Sequence, residues 1–194
     1  MIDKTKKKMT ILDVAQSLFA RFGLSKTTID DIAKKASMGK ASIYYYFTNK
    51  EAIFKEVIDK EGRQFQEKIL KEVNSETSPQ SKIRIYIITR MELLKNLSNY
   101  YNMLRDDYLR HHSFVEKARH SYDVFETTLL SSILQEGVQN KVFDVQNVTL
   151  TAETILVALK GLELKWTTEM PLMEIEQNAD SLLRILFKGI EIRN

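Results

Sequence analysis

Apolar residues near the start of the chain fall at Ile11, Val14, Ala15, Leu18, Phe19 and Phe22, in alternating steps of three and one. Those steps keep them on one face of a helix, so the pattern predicts a helix over residues 5–22. Gly23 follows where a left-handed residue commonly ends a helix. Thr28 opens a second set, Ile29, Ile32, Ala33 and Ala36, with Asp31 three positions after it. That spacing predicts a short helix capped by Thr28, with Asp31 supporting the positive end of its dipole. Ser37, Met38 and Gly39 form a tight break, and residues 40–47 a third short helix. Its wheel turns Ile43 and Phe47 inward and spreads Ala41, Ser42, Tyr44 and Tyr45 over the other side. Thr48 and Asn49 cap a fourth helix over residues 50–74, with Ile53, Phe54, Val57 and Ile58 as its early apolar face.

Past Pro79 the same periodicity predicts longer helices over residues 83–97, 100–111, 114–138, 151–169 and 174–193, with a connector at 142–148 and a break at Pro171. Six glycines and two prolines in 194 residues are too few for the frequent turns of a sheet protein. The fold class is therefore all-α. The organisation is an N-terminal domain over residues 1–50, a linking helix at about 50–74, and a C-terminal helical domain within 51–194.

Composition narrows the chemistry. With no cysteine there is no disulfide framework, thiolate metal site or cysteine nucleophile, which fits a reducing cytoplasm. No apolar run exceeds five residues, so no membrane span is expected, and the first 16 residues lack the apolar core of a secretory leader. Charge is uneven. Residues 1–60 hold 12 Lys and Arg against 7 Asp and Glu, whereas residues 61–194 hold 17 against 19. A basic front with a mildly acidic rear points to a polyanion at the front; a solvated lysine-rich surface is the plain alternative.

Two short helices joined by a three- or four-residue turn, apolar inside and polar outside, make a helix-turn-helix, whose second helix can enter the major groove. Three consecutive tyrosines on that helix, Tyr44, Tyr45 and Tyr46, cannot all be buried, and exposed phenols can donate to phosphates or pack on thymine methyls. Residues 8–60 resemble the DNA-binding domain of the TetR/AcrR family of bacterial transcriptional regulators. The resemblance lies in Ala15-x-x-Leu18-Phe19-x-x-x-Gly23, in Thr27-Thr28-Ile29-x-x-Ile32-Ala33-x-x-Ala36, and in Ala41-Ser42-Ile43-Tyr44-Tyr45-Tyr46-Phe47-x-x-Lys50-Glu51. Beyond residue 60 it is confined to length, helical content and the Gly137-x-x-x-x-x-Phe143 region.

The resemblance implies base-facing roles for Lys40, Ala41, Ser42 and Tyr45, and phosphate contacts from Thr28, Tyr44, Tyr46 and Lys50. It implies a palindromic double-stranded operator, a homodimer and a small-molecule effector. One departure is the turn, Ser37-Met38-Gly39 where the family usually has Gly-Val-Ser. A non-glycine residue there carries strain if its φ is positive, and Gly39 lacks a capping hydroxyl. Lys6, Lys7 and Lys8 are either a solvated tail or a basic arm near the DNA.

The rear helices carry more apolar surface than one internal face needs, which suits a dimer. Ile155, Leu159 and Leu162 on one helix and Leu183, Leu186, Phe187 and Ile190 on the next are its candidates. Mixed Met, Tyr and Leu positions suit a largely apolar effector. Met91, Leu94, Tyr101, Met103, Leu104 and Tyr108 are candidates for its pocket, with Phe125, Leu129 and Trp166, each also open to plain core packing. His111, His112 and His120 match no metal spacing, and Asp30-Asp31 is explained by dipole support at a helix start. No metal, cofactor or catalytic residue is expected. The reading is a cytoplasmic, ligand-responsive repressor without enzymatic activity. An activator on the same fold, or a helical small-molecule-binding protein with a vestigial front domain, are the alternatives.

Overall fold

The computed structural model describes residues 2–97, 99 and 113–190. Among them are eight helices and no strand: α1 Ile2–Lys26, α2 Ile29–Lys35, α3 Lys40–Tyr46, α4 Lys50–Ser75, α5 Pro79–Asn96, α6 Ser113–Gln139, α7 Val148–Glu169 and α8 Leu172–Ile190. The helix expected at 100–111 lies outside the described residues. The chain divides into two compact units, Met1–Arg63 with Leu97–Ala118, and Gln64–Asn96 with Arg119–Asn194. No described helix is long and apolar enough to cross a membrane.

In the first unit, α1 packs on α2 and α2 on α3. Ile11, Ala15, Leu18 and Phe19 of α1 are buried with Ile32, Ile43, Phe47, Ile53, Phe54 and Val57, and Phe19 meets Phe54 edge-on at 5.1 Å between centroids. Phe22 departs from the expected stripe and stands in solvent, its ring 5.0 Å from the Arg21 guanidinium. Gly23 has positive φ as anticipated, but its ψ of 167° takes it into an extended region that only glycine occupies readily. The chain therefore kinks there, and Thr27 closes the kink by donating its hydroxyl to the Gly23 carbonyl at 2.8 Å. Asn49 Oδ1 accepts from the Ala52 N–H at 2.8 Å, capping α4. A buried carboxylate, Glu61, accepts from the Gln16 amide at 2.8 Å and the Asn99 amide at 2.7 Å, and Asn99 also donates to the Gln16 carbonyl at 3.0 Å.

In the second unit α5 packs against α7 and α8. Its centre is polar. Arg90 is wholly enclosed; its Nε donates to Glu126 Oε1 at 2.8 Å and its Nη2 to Glu163 Oε2 at 2.6 Å. Tyr86 donates its hydroxyl to the same Glu126 oxygen at 2.5 Å, and the Tyr122 ring lies 5.8 Å from the guanidinium. Burial opposes the charge on Arg90, but Glu126, the two phenols and Glu163 outweigh it and hold the group protonated, above its usual range. Burial first, then Glu126, keeps the Tyr86 hydroxyl un-ionised. One guanidinium thus joins three helices through bonds that each end on a different helix.

The end of α6 brings Gly137 and Phe143 together. Val142 N–H returns to the Gly137 carbonyl at 2.8 Å and Lys141 N–H to the Val138 carbonyl at 3.0 Å, with Lys141 left-handed at φ 57°. This is a Schellman ending. It folds Phe143 onto the bare α-carbon of Gly137, where any Cβ would fall 2.1 Å from a ring carbon. Phe143 then stacks on Phe187 at 5.9 Å, and the Asp144 N–H bonds the Ile190 carbonyl at 2.6 Å.

Candidate nucleic-acid interface

The hydroxyl of Thr28 accepts from the Asp31 N–H at 3.1 Å, while Asp31 Oδ2 accepts from the Thr28 N–H at 2.9 Å. This reciprocal pair is a capping box, and it starts α2 where the sequence places it. The hydroxyl also donates to Asp31 at 2.6 Å, so the hydroxyl and N–H of Thr28 both serve the cap. Those bonds hold the Asp31 carboxyl below its usual range. A phosphate at Thr28 has to exchange with Asp31.

The turn after α2 is a second Schellman ending. Met38 N–H donates to the Ala33 carbonyl at 2.9 Å and Ser37 N–H to the Lys34 carbonyl at 3.2 Å. The motif needs one left-handed residue, and Ser37 fills the place at φ 53°. Glycine has no Cβ to strain there; serine does. Gly39 caps α3 through its backbone alone, with no side-chain bond.

The seven residues of α3 separate cleanly. Ile43 is fully buried and Phe47, just past the helix, nearly so. Lys40, Ala41, Ser42, Tyr44 and Tyr45 are all exposed, the last two at 50% and 67%. Five consecutive-turn side chains thus face solvent on a helix anchored by two apolar residues, the arrangement a groove-entering helix requires. Tyr46 is half-buried and meets the Tyr45 ring edge-on at 5.0 Å. Lys50 is half-buried, its Nζ 3.4 Å from the Ser25 carbonyl.

Two side chains outside α3 reach its exposed residues. Asp30 Oδ2 accepts from Lys40 Nζ at 2.9 Å, and this bond holds Lys40 above its usual pKa. Lys4 Nζ sits 4.8 Å from the Tyr45 ring centre, within cation–π range. Neither was legible as an interface residue: their partners lie 10 and 41 positions away, and only the tertiary turn brings them together. Lys8, by contrast, turns to Glu56 at 2.7 Å and to the Phe47 ring at 5.3 Å.

The candidates on the rear helices divide differently. Met91, Leu94 and Trp166 are buried, and Phe125 and Leu129 half-buried. Tyr101, Met103, Leu104, Tyr108, His111 and His112 lie outside the described residues. Of the dimer candidates, Ile155, Leu159 and Leu183 are enclosed in the unit's own core, so they offer nothing to a second chain. Leu162, Leu186, Phe187 and Ile190 are half-buried, Phe187 being occupied by Phe143. What α7 and α8 leave outside is a different set: Leu150, Val157 and Leu164 on α7, and Leu172, Met173 and Ile185 on α8, the last at 73% exposure. Both helices are apolar on more than one side, which hides the inward direction from periodicity alone. Among the described residues no group of His, Asp and Glu is placed to hold a metal.

The profile of the bacterial regulatory proteins of the tetR family matches residues 11–57, which takes in all of α2 and α3. Over nearly its whole length the chain is similar to the fatty acid metabolism regulator protein of Bacillus subtilis, at 25% identity over 195 residues, covering 98% of each chain. A crystal structure of a transcriptional regulator from Cytophaga hutchinsonii aligns at 30% identity and a TM-score of 0.72, covering 94% of this chain and 97% of that one. The transcriptional regulator FadR of B. subtilis, solved with stearoyl-CoA, shares the fold at 22% identity and a TM-score of 0.72, covering 90% and 96%. With its capped α2, its α2–α3 turn and the outward face of α3, the chain belongs to the TetR family of transcriptional regulators.

Proposed function

We propose that the chain is a repressor that binds a palindromic operator as a homodimer and leaves it when a small, largely apolar effector binds. The observation that carries this reading is the split of α3, with Ile43 and Phe47 buried and Lys40, Ala41, Ser42, Tyr44 and Tyr45 outside. Lys40, Ala41, Ser42 and Tyr45 face the bases; Tyr44, Tyr46 and Lys50 meet phosphates, with Thr28 joining them once Asp31 yields. The domain boundary we assign ends the DNA-binding domain near residue 50, α4 acting as the link to the remainder.

Dimerisation uses the apolar residues that α7 and α8 leave in solvent: Val157 and Leu164, spaced seven apart on one helix face, with Ile185. Gly161, between the first two, lets a facing helix approach. The effector is a long-chain acyl compound, a reading supported by the fatty acid metabolism regulator and by the stearoyl-CoA held by FadR. Release needs only that this ligand prefer the geometry that does not fit DNA.

Selection of bound sequences from a random duplex pool, followed by salt titration of the winner, tests the reading. A palindromic motif whose affinity falls steeply with salt, and which stearoyl-CoA displaces, is the expected result. Enrichment of no motif by folded, ligand-stripped protein would refute it.

A further inference from the structure

Asp30 and Asp31 stand together at the start of α2, but only Asp31 is occupied by the cap. The Asp30 carboxylate crosses to the first residue of α3 and accepts from Lys40 Nζ at 2.9 Å. Both side chains are more than half exposed. A carboxylate is thus held at the very end of α3 that presents its residues to base edges, in a surface otherwise suited to a polyanion. Dipole support does not account for that placement, because it leaves unexplained why the side chain is directed to the next helix.

We infer that Asp30 is a positioning residue for DNA recognition: it aims Lys40 at base edges and withholds it from phosphates. An ammonium has three donors. One stays with Asp30, and the others remain for the two acceptors that guanine shows in the major groove. An exposed pair of this kind is weak and exchangeable, so it guides the lysine without locking it. On non-specific DNA, where the lysine's gain comes from phosphates alone, the carboxylate opposes close approach. Asp30 therefore lowers non-specific affinity more than operator affinity, and the ratio between them rises. The inference rests on the DNA-binding reading above.

The test compares wild type, D30N, D30E, K40M and the D30N/K40M double variant on the selected operator and on a scrambled duplex, across a salt series. Thermal unfolding of each variant checks that the fold is intact. D30N should bind the scrambled duplex about two- to fivefold tighter, with a log–log salt slope steeper by about 0.9, the signature of one added phosphate contact. Operator affinity should change less, so specificity falls; D30E should restore it. In the K40M background the steepening should vanish. If D30N has the same effect with and without Lys40, or leaves the specificity ratio unchanged, Asp30 acts only through bulk charge and the inference fails. A wild type that prefers no duplex defeats the DNA-binding reading itself, and this inference with it.

Discussion

In the helix-turn-helix unit, Lys40 meets Asp30 at 2.9 Å with both side chains in solvent; in the rear unit, Arg90 meets Glu126 at 2.8 Å and Glu163 at 2.6 Å with the guanidinium wholly enclosed. The bond lengths are alike, and the surroundings make them different devices. Water and salt screen the first pair, so it is weak and its lysine stays free to reach a base acceptor. Around Arg90 the pairs are enclosed, so losing one partner strands a charge in the interior. One unit keeps its cation available for exchange. The other uses a cation to fix where three helices meet.

Removing each cation is the most direct way to break that contrast. Arg90→Met should destabilise the fold by about 3–5 kcal/mol in urea denaturation, because Glu126 and Glu163 are left facing each other. Replacing all three charged residues with methionine should recover much of that loss; a triple variant as unstable as the single one would show that packing, not stranded charge, sets the cost. Lys40→Met should leave the melting temperature in place yet weaken operator binding about tenfold or more, measured by fluorescence anisotropy. A drop in stability instead would mean that the Lys40–Asp30 pair is structural. The mildest comparison concerns the two Schellman endings, one in each unit. Ser37→Gly and Lys141→Gly should each stabilise by about 0.5–1 kcal/mol, since both relieve a side chain at positive φ. Should only one respond, the φ of the other is held by contacts that compensate for the strain.

What the sequence made readable follows the same division. The front unit is built from local devices: Thr28 and Asp31 cap within four residues, Ser37 turns within five, and Ile43 and Phe47 define a face four residues apart. Each sits inside a window that periodicity and capping rules cover. The polar core of the rear unit is assembled from residues 36 and 37 positions apart, on three separate helices. A lone Arg or Glu in a long helix reads as part of the solvent face. The available signal was the neighbourhood of Arg90, whose flanking Ile83, Tyr86, Ile87 and Leu94 are all apolar or aromatic at helical spacing. For α7 the difficulty was reversed. Apolar residues on more than one side give too many candidate faces, and only the packing shows that Ile155 and Leu159 point inward while Val157 and Leu164 stand in solvent.

Gly137 and Phe143 carry a consequence for how this chain can vary. The aromatic ring occupies the space that any side chain at 137 would claim, and the same ring braces Phe187 of α8. A lineage that drifts at either codon alone loses the fit, since a larger residue at 137 evicts the ring and a smaller one at 143 leaves the glycine unsheltered. Only a paired exchange, bulk gained at one position and given up at the other, keeps the joint closed. The two codons should therefore change together or not at all among descendants of this gene, so that position 137 records the history of position 143.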